Sequence, residues 1–133
     1  MLNVLIVDDS LIIRKNVHKY LAHLGHKVIR EAKTGAEAVE DCKELKPDLI
    51  TMDITMPDMD GITAVAKIKQ FDKKVPIIMV TSHGQEDLVV SALKAGAKGY
   101  ILKPINEDKL AKAIATIFPK YKIQEDDDEF LDD

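Results

Sequence analysis

With a single cysteine among its 133 residues, the chain has no means of forming an internal disulfide. That residue, Cys42, falls on the apolar spacing Val39, Cys42, Leu45, which reads as a packed core thiol rather than a reactive one. No apolar run approaches the roughly 18 residues that span a bilayer. The opening MLNVLIVDD is short and turns acidic too soon for a secretory signal. A cytoplasmic location is therefore the expectation, with no membrane partner. Basic patches with interleaved aromatics are missing, which argues against nucleic acid. There is no G-x-G-x-x-G, no internal repeat and no interdomain linker. The histidines His18, His23 and His26 do not cluster as metal ligands and read as helix-surface residues.

What is present suits one domain with one core: 46% hydrophobic and 32% charged residues over a length typical of a single domain. The net charge of −4 is unevenly spread. Residues 121–133 carry seven acids against one lysine, a net −6, whereas residues 1–120 carry 16 acids and 18 bases, a net +2. The division expected is a domain over 1–120 and an acidic, disordered tail over 121–133. A short binding motif built on Phe130 and Leu131 is the alternative reading of that tail.

Apolar runs of strand character recur at 3–7, 27–30, 48–52, 76–80 and 99–102. Helical spacing fills the intervals: Leu11, Ile12, Val17, Leu21 and Leu24; Ala36, Val39, Cys42 and Leu45; Ile62, Val65 and Ile68; Leu88, Ala92 and Ala95; Leu110, Ile114 and Ile117. Thr34-Gly35-Ala36-Glu37 fits a capping box, and Asn106 with Glu107 and Asp108 fits an N-cap with acids in the first turn. Gly25 and Gly96 stand where a C′ glycine would, and Pro119 ends the last helix. Strict alternation of strand and helix predicts a parallel sheet covered on both faces. The fold class is α/β, a flavodoxin-like (βα)5 doubly wound sheet of five strands in the order 2-1-3-4-5.

In such sheets ligands sit beyond the carboxyl ends of the strands, near the switch point between the first and third. Asp8 and Asp9 end the first strand, Asp53 the third, Thr81 and Ser82 the fourth, and Lys103 with Pro104 the fifth. Three converging carboxylates repel and do not all ionise without compensation. A hard divalent cation resolves this, Mg²⁺ first and Mn²⁺ as the alternative, because it takes carboxylate oxygens and leaves room for a phosphoryl oxygen. Lys103 supplies a point charge for phosphate, and Thr81 a hydroxyl. Asp58 and Asp60, in a proline-containing loop before a helix, read as caps and turn formers.

VLIVDDS, ITMDITMPDMDG, IIMVTSHG and AKGYILKPI together resemble the receiver domain of two-component response regulators, over residues 3–118. Among these the likeness is to single-domain chemotaxis receivers of the CheY type, and KELKPDLITMDITMP in particular resembles that group. The resemblance implies that Asp53 is the phosphoacceptor, attacking a phosphohistidine kinase to form an acyl phosphate. It implies that Asp9, Asp53 and the backbone carbonyl of Thr55 ligate Mg²⁺, with Asp8 acting through metal-bound water. Lys103 would neutralise phosphoryl charge, and Lys103-Pro104 would be a cis peptide. Thr81 and Tyr100 would form the switch, remodelling the face made by the fourth helix, fifth strand and fifth helix. Thr55 and His83 would tune self-dephosphorylation; an ordinary loop histidine is the other reading of His83.

The implied protein is a monomeric switch, not an enzyme, with self-catalysed phosphotransfer and autodephosphorylation only. Its partners would be a sensor histidine kinase and a downstream protein: a flagellar motor-switch component, a phosphatase or, for a phosphorelay, a histidine phosphotransfer protein. Chemotaxis is the first choice of pathway. Competing readings have less support. Asp53-Ile54-Thr55 resembles faintly the nucleophile of haloacid-dehalogenase-type phosphatases, but it follows the wrong strand and lacks the second acid. A flavin module needs a Ser/Thr/Gly-rich loop where this chain has Asp8 and Asp9. A degenerate receiver, binding without phosphorylation, would not need the full set of acids, threonine and lysine.

Overall fold

The computed structural model describes residues 1–121. Five strands run β1 (Asn3–Val7), β2 (Lys27–Ala32), β3 (Leu49–Asp53), β4 (Ile77–Thr81) and β5 (Gly99–Leu102). Each is followed by a helix: α1 (Leu11–His23), α2 (Gly35–Leu45), α3 (Gly61–Phe71), α4 (Glu86–Ala95) and α5 (Glu107–Ile117). All pairings are parallel, and the order is β2-β1-β3-β4-β5. Parallel neighbours need crossovers long enough to hold a helix, so the period of strand and helix in the sequence translates directly into this topology. Of the segment 121–133 only Tyr121 is described, and it packs on the domain against His26 rather than belonging to the disordered tail expected from the sequence; the acids and Phe130 and Leu131 lie outside the described residues.

The two-residue period of the strands sorts side chains onto two cores. Leu5, Val7, Ile50, Met52, Ile77 and Met79 point to one face, against Ala38 and Cys42 of α2, Ala64 and Ile68 of α3, and Ala92 of α4. Val4, Ile6, Leu49, Ile78 and Val80 point to the other, against Val17 and Leu21 of α1 and Leu110 and Ile114 of α5. Cys42 is buried in the first core, where desolvation pushes its thiol up to about 11, so it packs as an apolar group.

Several local readings shift. Thr34 caps α2 as expected, accepting from Glu37 N at 3.1 Å, but the Glu37 carboxylate returns to Lys33 N rather than to the cap residue. Asn106 caps α5, and Gly25 adopts φ +86°, the left-handed conformation that suits a C′ glycine. The face of α1 is not the one drawn through Leu11 and Ile12, which are exposed. Ser10 caps the helix, so its first turn stands beyond the end of the sheet; Arg14, Val17 and Leu21 turn inward instead. On α4 the inward residues are Val89 and Ala92, while Leu88 faces out. His26 is not on a helix surface. It lies between α1 and β2, buried, with Nδ1 accepting from Leu2 N at 3.1 Å and its ring edge-on to Tyr121 at 4.7 Å. His18 and His23 are on the surface of α1, each facing a carboxylate, Glu31 and Glu107.

Candidate functional site

β3 and β4 extend one residue further than their apolar runs. Asp53 and Thr81 are therefore the last paired residues of their strands, opposite Val80 and Leu102. Ladder hydrogen bonds fix their backbones, so a carboxylate and a hydroxyl are delivered to the rim on rigid supports. Gly61 opens α3 directly behind Asp53. A Cβ there would stand 2.3 Å from the Asp53 carbonyl oxygen, and Gly61 N donates to Ile54 O at 2.6 Å. Only a residue without a side chain lets the helix start this close to the strand end.

The rim assembles as the strand order requires. One carboxylate oxygen each from Asp8, Asp9 and Asp53 lies within 4.8 Å of the others. Asp8 and Asp53 are buried and Asp9 is exposed. Lys103 reaches over from the end of β5, its Nζ 3.4 Å from Asp53 Oδ1 and 3.7 Å from Asp8 Oδ2. The Lys103–Pro104 peptide is cis. Burial, then the neighbouring Asp8 charge, pushes the Asp53 carboxyl up to about 6, against the pull of Lys103. Burial also raises Asp8, although Ser10 N donates to its Oδ1 at 2.9 Å. One ammonium does not offset three crowded carboxylates. The donor set is all hard oxygen, two of its members desolvated, and it fits a small divalent cation held by Asp8, Asp9 and Asp53.

Thr55 is exposed in the loop after β3, two residues past Asp53, and His83 is exposed in the loop after β4. Tyr100, on the edge strand β5, is 55% exposed. It stands over a groove of about 350 Å³ between α4 and β5 that runs back to Thr81 and is walled by Val89, Val90 and Leu93. The expected residues thus divide. Asp8, Asp9, Asp53 and Lys103 meet; Thr81 points toward α4; Tyr100 stands outside.

Two contributors, Arg14 and Gln85, are absent from the sequence reading, and a third, Asp58, finds a different partner. Arg14 is buried beneath the acids, donating from Nη1 to the Asp8 carbonyl at 2.8 Å and from Nε to Glu31 at 3.2 Å. Its signal was its place on the stripe Arg14, Val17, Leu21, one helical face. Asp60 caps α3, as read, but Asp58 does not: it accepts from Gly35 N and Ala36 N at the start of α2, 3.0 and 2.9 Å away. Gln85 joins the loops after β3 and β4, and no local pattern announced it.

Against known proteins, the family model for the response regulator receiver domain matches residues 4–115. The chain is 50% identical over 111 residues to the chemotaxis protein CheY of Bacillus subtilis (strain 168), covering 84% of this chain and 92% of that protein. It is 45% identical over 111 residues to CheY of Thermotoga maritima, with the same coverage of 84% and 92%. A chain of the CheX–CheY–BeF3–Mg²⁺ complex from Borrelia burgdorferi superposes with a TM-score of 0.84 at 41% identity, over 87% of this chain and 88% of that one. Sequence, topology and the acidic rim agree, and the chain belongs to the response regulator receiver domain family, close to the CheY chemotaxis proteins.

Proposed function

We propose that this response regulator is a phosphoacceptor switch in which Asp53 receives a phosphoryl group from a sensor histidine kinase. The observation that carries the reading is Asp53 itself: buried at a strand end, crowded by Asp8 and Asp9, and faced by Lys103 at 3.4 Å. A carboxylate oxygen of Asp53 attacks phosphorus, the bond from phosphorus to the kinase histidine nitrogen breaks, and an acyl phosphate forms on Asp53. Lys103 sits on the side where phosphoryl charge accumulates and neutralises part of it. Asp9, Asp53 and the Thr55 carbonyl would hold Mg²⁺, with Asp8 acting on it indirectly, and the ion would supply positive charge to the phosphoryl oxygens. The Thr81 hydroxyl donates to a phosphoryl oxygen, and Tyr100 moves into the groove beside α4. That shift changes the face of α4, β5 and α5 and so its affinity for a downstream protein.

Likeness to CheY supports chemotaxis as the pathway, and the Borrelia complex with CheX supports a protein rather than a nucleic acid as the downstream partner. Thr55 and His83 flank the phosphoryl position and set its lifetime. Residues 1–121 act as the receiver unit and the acidic segment 122–133 as an appendage. Among the described residues no helix is long and apolar enough to cross a membrane.

Intact-protein mass spectrometry after incubation with Mg²⁺ and phosphoramidate tests the reading. One phosphoryl adduct is expected on the wild type, none on Asp53→Asn and none with chelator. An adduct that persists on Asp53→Asn overturns the assignment of the acceptor. No adduct on a folded wild type makes the domain a phosphorylation-independent binding module.

A further inference from the structure

Gln85 lies four residues past Thr81, at the N-cap position of α4, yet its side chain makes no capping hydrogen bond. It reaches across the rim instead. Its Oε1 is 2.8 Å from Ser82 N and 2.9 Å from Thr81 Oγ1, and its Nε2 is 2.9 Å from Thr55 Oγ1. The orientation of the amide follows from chemistry. Ser82 N–H can only donate, so the atom facing it is the carbonyl oxygen. Thr81, facing that same oxygen, must then donate its one proton to it. The competing acceptor, Ser82 O, is further away at 3.4 Å. Nε2 consequently points to Thr55 and donates to its hydroxyl. One side chain thus ties the loop after β3 to the end of β4 and takes up the only side-chain hydrogen-bond donor that Thr81 has. Thr81 is 2% exposed, so water has little access to take its place.

We propose that Gln85 is a latch: it holds the Thr81 hydroxyl in the unphosphorylated arrangement and competes with the phosphoryl group for the Thr81 proton. This rests on the phosphoacceptor reading of Asp53 and Thr81. The hydroxyl has one proton and cannot serve Gln85 and a phosphoryl oxygen together. Phosphorylation therefore has to break the Thr81–Gln85 hydrogen bond, and the resting state is favoured by whatever that bond is worth. Removing the amide shifts the equilibrium toward the active arrangement without touching the acids or Lys103. Gln85 is in this sense a positioning residue, acting on the reaction through Thr81.

The test is the affinity for BeF3⁻ at saturating Mg²⁺, by isothermal titration calorimetry on the full chain. The proteins compared are wild type, Gln85→Ala, Thr81→Ala and the double variant, each first shown folded by its urea midpoint. A neutral hydrogen bond of ordinary net worth predicts that Gln85→Ala binds roughly twofold to tenfold more tightly than wild type. In the Thr81→Ala background, Gln85→Ala changes nothing, because there is no proton left to withhold. Gln85→Met keeps the length of the side chain and loses the amide, and it gives the same gain should the alanine variant fail to fold. Unchanged or weaker binding by folded Gln85 variants overturns the latch. So does an equal gain in the Thr81→Ala background. A folded wild type that binds no BeF3⁻ at all overturns the phosphoacceptor reading, and the latch with it.

Discussion

At the β1 and β3 ends of the sheet the polar side chains are held from several directions at once; at the β4 end a single side-chain amide does the holding. Asp8 is fixed by Ser10 N at its carboxylate and by Arg14 at its carbonyl, and Arg14 is in turn anchored on Glu31. Asp53 is in the ladder, with Gly61 seated against its backbone. The helices on that side, α1, α2 and α3, all begin with a side-chain cap from Ser10, Thr34 and Asp60. The α4 side shares only the ladder, which holds the Thr81 backbone as well. Its helix lacks a side-chain cap, and Leu88, Val90, Leu93 and Tyr100 are exposed along it and on the neighbouring strand. The difference teaches how a small domain joins chemistry to a change of shape. For the proposed switch, the reacting groups need fixed geometry, and a surface that reports on them needs a cheap alternative arrangement.

Truncation to alanine on the two sides should expose that contrast most strongly. Ile50→Ala removes a fully buried side chain from β3 and should cost about 2–5 kcal/mol in urea unfolding. Val90→Ala, on the exposed face of α4, should stay within about 0.5 kcal/mol. Comparable losses at the two positions would break the comparison.

Gly61→Ala comes next. Its methyl group meets the Asp53 carbonyl rather than a movable side chain, so a loss of about 1–3 kcal/mol is expected in the same measurement. Gly84→Ala, in the loop before α4, has nothing within 4 Å of its added methyl; its φ of +88° leaves backbone strain as the only cost, so the loss should be smaller.

Asp58→Ala sharpens the comparison through pH. Hydrogen bonds from Ala36 N and Gly35 N hold the Asp58 carboxyl below the usual carboxylate range. A lowered folded value contributes stability above the unfolded value, about 3.9, and loses it as pH falls through the folded one. Asp58→Ala should therefore lower the urea midpoint at pH 7, by less than Gly61→Ala does, and the gap should close toward pH 2.

The smallest effect is expected at His26, at the opposite end of β1. Burial first, and then the N-terminal charge, lowers its pKa. The neutral ring is the one that accepts from Leu2 N. Its contribution is full above about 6.5 and is lost as pH falls through the lowered folded value. His26→Gln should remove that part of the slope. Urea midpoints of both proteins at pH 7.5 and 5 measure it; equal slopes would show that His26 does not titrate in this window.

The sequence alone carried the architecture. Five apolar runs alternating with five helical stripes leave little choice but a parallel sheet covered on both faces, and Asp8, Asp9, Asp53, Thr81 and Lys103 could be assigned to strand ends by counting. Those are short-range facts, written in the spacing of neighbouring residues. Strand order then converted five separate ends into one rim. What the spacing could not carry were contacts between segments far apart in the chain: Asp58 crossing to cap α2, His26 buried against Tyr121, Arg14 of α1 paired with Glu31 of β2, and Gln85 spanning from Thr81 to Thr55. A side chain's own neighbours in sequence fix which face it is on. Which partner it finds depends on the distances between loops, and those exist only once the sheet has brought the loops together.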